Sequence, residues 1–244
     1  MPGVTIAMRG LTHVYPDGTA ALRGVDLHIE AGECVALLGA NGAGKSTLLQ
    51  HLNGLLLAAT GEVCVDGHRV EADSLVRVRQ LVGYVFQQAE DQLFMPTVAD
   101  DVAFGPRNLG LSATEVDERV RQALAAVGAS HLAARAPWRL SGGEQRAVAI
   151  AGVLAMQPGA LALDEPSAGL DATARRQLIE VLAAQRCTRV VATHDLALAS
   201  ELCPRAVLLH AGRVLADGAP QDLYADAALM RECRLEAPVM GSRS

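Results

Sequence analysis

The segment Gly39-Ala40-Asn41-Gly42-Ala43-Gly44-Lys45-Ser46-Thr47 has the types and spacing of a loop that binds phosphate. Its glycines let the backbone wrap an anion, N–H groups at a helix start donate to it, and Lys45 supplies a point charge to terminal phosphates. Ser46 offers a hydroxyl of the kind that ligates Mg²⁺. An apolar run, Cys34 to Leu38, precedes the loop and a helical stretch follows it. A chance glycine turn with a stray lysine would lack that strand–loop–helix setting.

Two further groups complement the loop. Leu161-Ala162-Leu163-Asp164-Glu165 is an apolar strand ending in two acids, a form that brings a carboxylate to Mg²⁺ at the C-terminal edge of a sheet. Asp164 is the expected metal-side acid. Glu165, one residue on, is placed to orient and deprotonate a water attacking a γ-phosphate. Alone, the pair would pass for a helix cap; beside a phosphate loop it is a candidate catalytic centre. Leu140-Ser141-Gly142-Gly143-Glu144 opens a second helix. In isolation Ser141 reads as an ordinary N-cap. A chain with two phosphate-cradling helix starts but one acid pair suggests that the second start, with Ser141, Gly142, Gly143 and Glu144, serves a nucleotide held by another copy.

The elements that must position these groups follow an α/β alternation, without internal repeats or low-complexity linkers. Val25, Leu27 and Ile29 alternate with polar residues, as in a strand with one wet face, whereas Cys34 to Leu38 is apolar throughout, as in a buried one. Further strands are expected at Val63 to Val65, Leu81 to Phe86, Leu161 to Leu163, Arg189 to Thr193 and Ala206 to Leu209, most of them in one core sheet. Between about Gln87 and Gln157 helix signals replace strands, so an inserted helical subdomain is expected there. Thr97 with Asp100 and Ser112 with Glu115 have capping-box spacing, and Gly128 marks a helix end.

Composition narrows the classes. The 244 residues suit one domain, the longest unbroken apolar run (Ala147 to Met156) is far too short to cross a bilayer, and the first ten residues lack the features of a secretory signal. A cytosolic chain is expected. Five scattered cysteines argue against a disulfide framework or a zinc site, and a formal net charge of −6 without a basic stripe argues against nucleic acid.

Taken in order, these motifs resemble those of ATP-binding-cassette (ABC) ATPases over nearly the whole chain. The resemblance implies an ABC fold: a RecA-like core sheet, an antiparallel β portion and a helical subdomain at about 87–157, in one nucleotide-binding domain that hydrolyses ATP with Mg²⁺. It implies that Tyr15 stacks on adenine, that Gln87 is the Q-loop glutamine and a metal-side ligand with Ser46 and Asp164, and that Leu140 to Glu144 is the signature motif. Ser167 to Asp171 becomes the D-loop, and His194 the switch histidine near the γ-phosphate. A homodimer in the ATP-bound state follows. Small-molecule kinases and non-transport cassette proteins are the rival classes; the Ser141 to Glu144 motif and His194 argue against the first, and a single cassette without basic arms against the second.

A narrower resemblance is carried by Gln87 to Val98 and Val102 to Leu111, which are similar to energy-coupling-factor ATPases, and by Arg146 to Pro158, similar to cobalt-type members. It implies a peripheral subunit on the cytoplasmic side of the cell membrane. Its partners would be an integral membrane coupling subunit and a substrate-binding membrane subunit, and its cargo cobalt ions or, alternatively, nickel, biotin or another vitamin. The acids Glu90, Asp91, Asp100 and Asp101, interleaved with apolar residues, suit a basic helix of the coupling subunit, with Glu90 and Asp91 favoured and Asp100 and Asp101 equally explicable as helix caps. Such ATPases carry a longer C-terminal extension that holds the dimer; here residues 219–244 read as a helical stretch to about Arg234 followed by a tail from Leu235, so constitutive dimerisation lacks its usual support.

Overall fold

A computed structural model describes residues 2–235. Its elements run β1 (Ile6–Val14), β2 (Ala20–Ile29), β3 (Cys34–Leu38), α1 (Lys45–Leu52), β4 (Thr60–Val65), β5 (His68–Arg69), α2 (Leu75–Leu81) and β6 (Val82–Val85). Three longer helices follow, α3 (Val98–Asn108), α4 (Ala113–Ala126) and α5 (Gly142–Ala155), and then β7 (Ala160–Asp164). The remainder is α6 (Ala172–Ala183), β8 (Thr188–Thr193), α7 (Leu196–Leu202), β9 (Arg205–His210), β10 (Arg213–Gly218), α8 (Pro220–Ala225) and α9 (Ala227–Glu232).

The strands form two sheets. One has the order β10-β9-β3-β8-β7-β6, parallel except for the β9–β10 hairpin; the other, β2-β1-β4-β5, is antiparallel. β3 and β7 are buried at every position, as sheet-centre strands covered on both faces must be, whereas β2 alternates over Val25, Leu27 and Ile29. The register then does the positioning. Leu38 on β3 pairs with Thr193 on β8, and Asp164 on β7 with Ala192 on β8. The chain ends of β3, β7 and β8 therefore lie side by side, and the phosphate loop, the acid pair and His194 all leave the sheet at one edge.

Packing follows the same division. The face of the core sheet with Val35 and Leu37 joins the antiparallel sheet and α1 in one apolar core, whereas Cys34, Ala36 and Leu38 pack with residues of α5–α9. A third core, around Val98, Val102, Leu124, Leu132 and Val148, belongs to α3–α5 and the segments that connect them. Among the described residues, no strand interrupts the chain between β6 and β7. Helix starts there are set locally: the Thr97 hydroxyl accepts the Asp100 N–H, Ser112 and Glu115 form a reciprocal capping box, and Gly128 follows α4 at φ +70°.

The structure departs from the sequence expectations in detail. Leu81 closes α2 and does not open β6, because Val78 and Leu81 bury one helical face. β1 is not legible in the sequence, because a bulge at Gly10 (φ +55°) breaks its alternation between Met8 and Leu11. The helical stretch after Pro220 is two short helices, broken where Asp226 caps the second by accepting the N–H groups of Ala228 and Leu229. The tail expected from Leu235 onward lies, after that residue, outside the described residues.

Candidate functional site

The phosphate loop bridges β3 and α1, held by an internal backbone bond from the Ala43 N–H to the Ala40 carbonyl at 3.1 Å. The N-cap of α1 is Gly44, at φ 106° and with no side-chain cap. Only glycine suits it: a Cβ there would lie 2.6 Å from the Ala21 carbonyl oxygen. Lys45 folds back across the loop, and its Nζ donates to the carbonyls of Gly39 (2.8 Å) and Ala40 (3.2 Å). That ammonium is buried 3.7 Å from Glu165 Oε1. Burial pushes its pKa down while Glu165 and Asp164 oppose the shift.

The two acids leave β7 in different directions. Asp164 turns to the loop, where its Oδ1 accepts from Ser46 Oγ at 3.0 Å and its Oδ2 from the Tyr84 hydroxyl at 3.2 Å. Burial raises the Asp164 pKa, and the two hydroxyls hold it back. Burial and the neighbouring Asp164 likewise raise the Tyr84 phenol. A carboxylate and a hydroxyl 3.0 Å apart beside a phosphate loop are hard oxygen donors of the type Mg²⁺ requires, so the donor set fits that ion.

Glu165 adopts φ 45°, a left-handed conformation uncommon for a non-glycine residue and a form of strain that collects at functional sites. Its N–H is tied to the Ala192 carbonyl at 2.8 Å. Its Oε2 accepts from the Thr193 hydroxyl (3.1 Å), the His194 N–H (3.3 Å) and His194 Nδ1 (2.9 Å). The carboxylate is thereby fixed between the lysine of the loop and a histidine whose side chain is 63% exposed.

An open depression of about 380 Å³ connects these groups. Tyr15, Thr19 to Ala21, Asn41 to Thr47, Gln87 and Glu165 line it. The Tyr15 hydroxyl is 2.9 Å from Thr47 Oγ1, and its ring meets His13 edge-on. The structure thus gathers Tyr15, Asn41, Gly42, Ala43, Gly44, Lys45, Ser46, Thr47, Gln87 and Glu165 around one space, with Gly39 and Asp164 behind them and His194 on Glu165. Ser141, Gly142, Gly143 and Glu144 do not line it. They cap α5 instead: the Ser141 N–H and hydroxyl both contact the Glu144 carboxylate, at 2.7 and 2.9 Å.

Three supporting residues were not assigned roles from the sequence. Arg146, buried on α5, donates to the Phe86 carbonyl at 2.6 Å and to the Gln87 carbonyl, and so fastens the Gln87 loop to the helix that begins at Ser141. Thr193 and Tyr84 hold the two acids. A charged residue on the inward face of an otherwise apolar helix was the available signal for Arg146; nothing local marked Thr193 or Tyr84.

Comparison with known proteins agrees with this geometry. The profile of the ABC transporter family matches residues 22–168. The chain is 49% identical over 238 residues to the energy-coupling factor transporter ATP-binding protein EcfA of Methanothermobacter thermautotrophicus, covering 96% of this chain and 76% of that one. Among solved structures, cbiO1 from Clostridium perfringens, part of the ABC transporter complex cbiONQ, superposes with a TM-score of 0.82 at 37% identity over 93% of this chain and 92% of its own. The ATP-binding cassette MJ0796, in a dimeric post-hydrolysis state bound to ADP and Pi, superposes with a TM-score of 0.80 at 30% identity over 88% of this chain and 98% of its own. The chain therefore belongs to the ABC transporter family and is one of its ATP-hydrolysing domains.

Proposed function

We propose that this chain is the ATPase subunit of an energy-coupling-factor-type importer, and that it hydrolyses Mg-ATP between two copies of itself. The observation that carries the catalytic part is the placement of Glu165, between Lys45 Nζ at 3.7 Å and His194 Nδ1 at 2.9 Å at the edge of the phosphate loop. The N–H groups at the start of α1, which no side chain caps, and the Lys45 ammonium receive the phosphates. Lys45 must leave the Gly39 and Ala40 carbonyls to do so. Tyr15 offers its ring to the adenine. Ser46 and Asp164, with Gln87 nearby, would hold Mg²⁺, which when bound neutralises phosphate charge. Glu165 takes the proton of the attacking water, and His194 steadies the carboxylate and faces the γ-phosphate side.

Residues Ser141 to Glu144 lie away from this depression, which supports their use by a nucleotide on a second copy. Glu165→Gln keeps a side chain of the same shape and removes the base. It should retain ATP binding, lose about 10²–10⁴-fold in turnover, and dimerise more with ATP than with ADP. Turnover within threefold of wild type would remove Glu165 from the mechanism.

The membrane side of the reading rests on a second groove of about 420 Å³, beside the Gln87 loop, lined by mostly apolar residues of β6 and α5, by Phe94 and Phe104, and by the charged Arg79, Asp91 and Asp101. Those rings meet edge-on at 5.0 Å and are 63% and 43% exposed. Of the four acids considered, Asp101 is turned inward to accept the Phe94 and Met95 N–H groups, and Asp100 is bound to Thr97 and Arg107. Asp91 lines the groove, and among the described residues neither it nor Glu90 has an ion-pair partner. The Arg79 guanidinium is taken up by the Asn53 and Gly54 carbonyls, and a basic helix of the membrane coupling subunit suits the apolar floor with unpaired Asp91 and the neighbouring Glu90. Glu90→Lys with Asp91→Lys should leave ATP binding intact and abolish copurification with that subunit; normal assembly would place docking elsewhere. The subunit sits peripherally at the cytoplasmic face. Cobalt ion is the cargo we propose from the α5 sequence, and uptake of labelled cobalt against nickel and biotin tests it.

A further inference from the structure

Asp195 follows His194 and uses its carboxylate in three directions. Its Oδ1 caps α7 by accepting the Leu198 N–H at 2.8 Å, and its Oδ2 accepts from Arg175 Nε at 3.0 Å and from Ser167 Oγ at 3.4 Å. Arg175, on α6, uses its other two nitrogens on Glu201 Oε1 near the end of α7, at 3.0 and 3.1 Å. The guanidinium therefore grips α7 at both ends. It is only 24% exposed, so this pair is less screened than a surface ion pair.

The grip continues into the site. The Asp195 N–H donates to Thr193 Oγ1 at 3.0 Å, which leaves the Thr193 hydroxyl proton for Glu165 Oε2 at 3.1 Å. Each link fixes the next: guanidinium to Asp195, Asp195 to Thr193, Thr193 to Glu165. Burial works against ionisation of Asp195, but the hydrogen bonds it accepts from Arg175 and from the Leu198 N–H override it, so the carboxyl lies below its ordinary range and the ion pair persists at neutral pH.

We propose that Arg175 is a positioning residue for ATP hydrolysis, acting through Asp195 and Thr193 to hold the Glu165 carboxylate and the His194 imidazole in register. The proposal rests on the reading of Glu165 and His194 given above. Arg175 touches no part of the phosphate loop, so its loss should act on turnover and spare nucleotide binding. The guanidinium fork serves two acids at once, which a lysine's single ammonium does not reproduce.

The test is single-turnover hydrolysis by the full chain for Arg175→Ala, Arg175→Lys, Thr193→Val and the Arg175→Ala/Thr193→Val double variant, with KM for ATP and Tm measured alongside. Arg175→Ala should lower the rate at least tenfold with KM within twofold, and Arg175→Lys should recover less than half of the loss. With the Thr193 hydroxyl already gone, the relay from Asp195 to Glu165 is cut, and Arg175→Ala should cost twofold or less, because two residues acting as one unit are not additive. A rate for Arg175→Ala within twofold of wild type, or the same fold loss in both backgrounds, would overturn the proposal. Should Arg175→Ala fail to fold, Arg175→Lys carries the same cycle with Thr193→Val. Failure of the underlying reading is separate: it appears as a Glu165→Gln variant that still turns over, whatever Arg175 does.

Discussion

Two glycine-rich helix starts in this chain have opposite finishes. α1 begins at Gly44 in a left-handed conformation, without a side-chain cap and without an acid in its first turn. α5 begins at Ser141 in extended conformation, its hydroxyl accepts the Glu144 N–H, and Glu144 returns a carboxylate to the Ser141 N–H. Both helices offer the positive end of a dipole. At α1 that end is left for a ligand, and the protein adds a buried lysine to it. At α5 the cap residue's own N–H and hydroxyl are already engaged by the chain's own anion. Sequence similarity between glycine motifs thus conceals a difference in finish: one start has no side-chain cap, whereas the other is capped reciprocally by Ser141 and Glu144.

Removing Lys45 should produce the largest effect on this contrast. Lys45→Ala deletes the only cation among the residues lining the depression and leaves Glu165 buried without its counter-charge. Hydrogen bonds to charged groups are worth about 1.5–3 kcal/mol, so ATP affinity should fall on the order of 10–100-fold, with hydrolysis lost as well. Equilibrium binding of labelled ATP is the measurement. Unchanged affinity would mean that the α1 start alone carries the phosphates.

Gly143 probes the other start. A Cβ at this position would meet Leu170 Cδ2 at 3.8 Å and the Ala174 Cβ at 3.9 Å, ordinary contacts that the fold accommodates. Gly143→Ala should therefore fold with Tm within about 2–4 °C of wild type, the shift expected for 1 kcal/mol in a chain of this size. If a second copy's phosphate closes on this helix start, the added methyl keeps it at a distance. Turnover should then drop at least about tenfold, equivalent to ~1.4 kcal/mol, along with ATP-driven dimerisation in a Glu165→Gln background. Full activity would show that α5 meets no phosphate.

What the sequence revealed and what it concealed follow the same local-against-distant division. The α1 loop, the acids after β7 and the α5 start are contiguous patterns, each tied to one element boundary, and each stands where its spacing put it. Gln87 could be named, but the means by which it is held could not, because Arg146 reaches Phe86 and Gln87 from sixty residues along the chain. Thr193 on Glu165 and Tyr84 on Asp164 are likewise products of sheet register, visible only once β6, β7 and β8 are laid side by side. The acids near the second groove show the converse failure. Composition alone grouped four of them, whereas the backbone claims Asp101 for the turn at Phe94 and Met95 and Asp100 for Thr97.

Glu144 offers the finest test of the comparison. Its carboxyl is held below its ordinary range by the Ser141 N–H and hydroxyl, so it is an anion at neutral pH, and under the proposed dimer it faces an incoming γ-phosphate. Glu144→Gln keeps the reach and one acceptor for the Ser141 N–H while removing the charge. Two opposite consequences follow. The isolated protein should lose a little stability, because an acid in the first turn of a helix contributes about 0.3–1 kcal/mol. That contribution is present above the carboxyl's unfolded pKa and disappears as pH falls through its depressed folded value, so the Tm gap between wild type and Glu144→Gln should narrow on acidification. Association should change the other way. With the resident anion neutralised, the Ser141 hydroxyl is easier to release and repulsion of an incoming phosphate falls, so ATP-driven dimerisation of Glu144→Gln in the Glu165→Gln background should tighten by about two- to fivefold, the factor corresponding to less than ~1 kcal/mol. Sedimentation at matched ATP concentrations reads this directly. Weaker or unchanged association would mean that the Glu144 carboxylate swings clear before the copies meet, and that the two helix starts differ in their free form without differing in the work they do once closed.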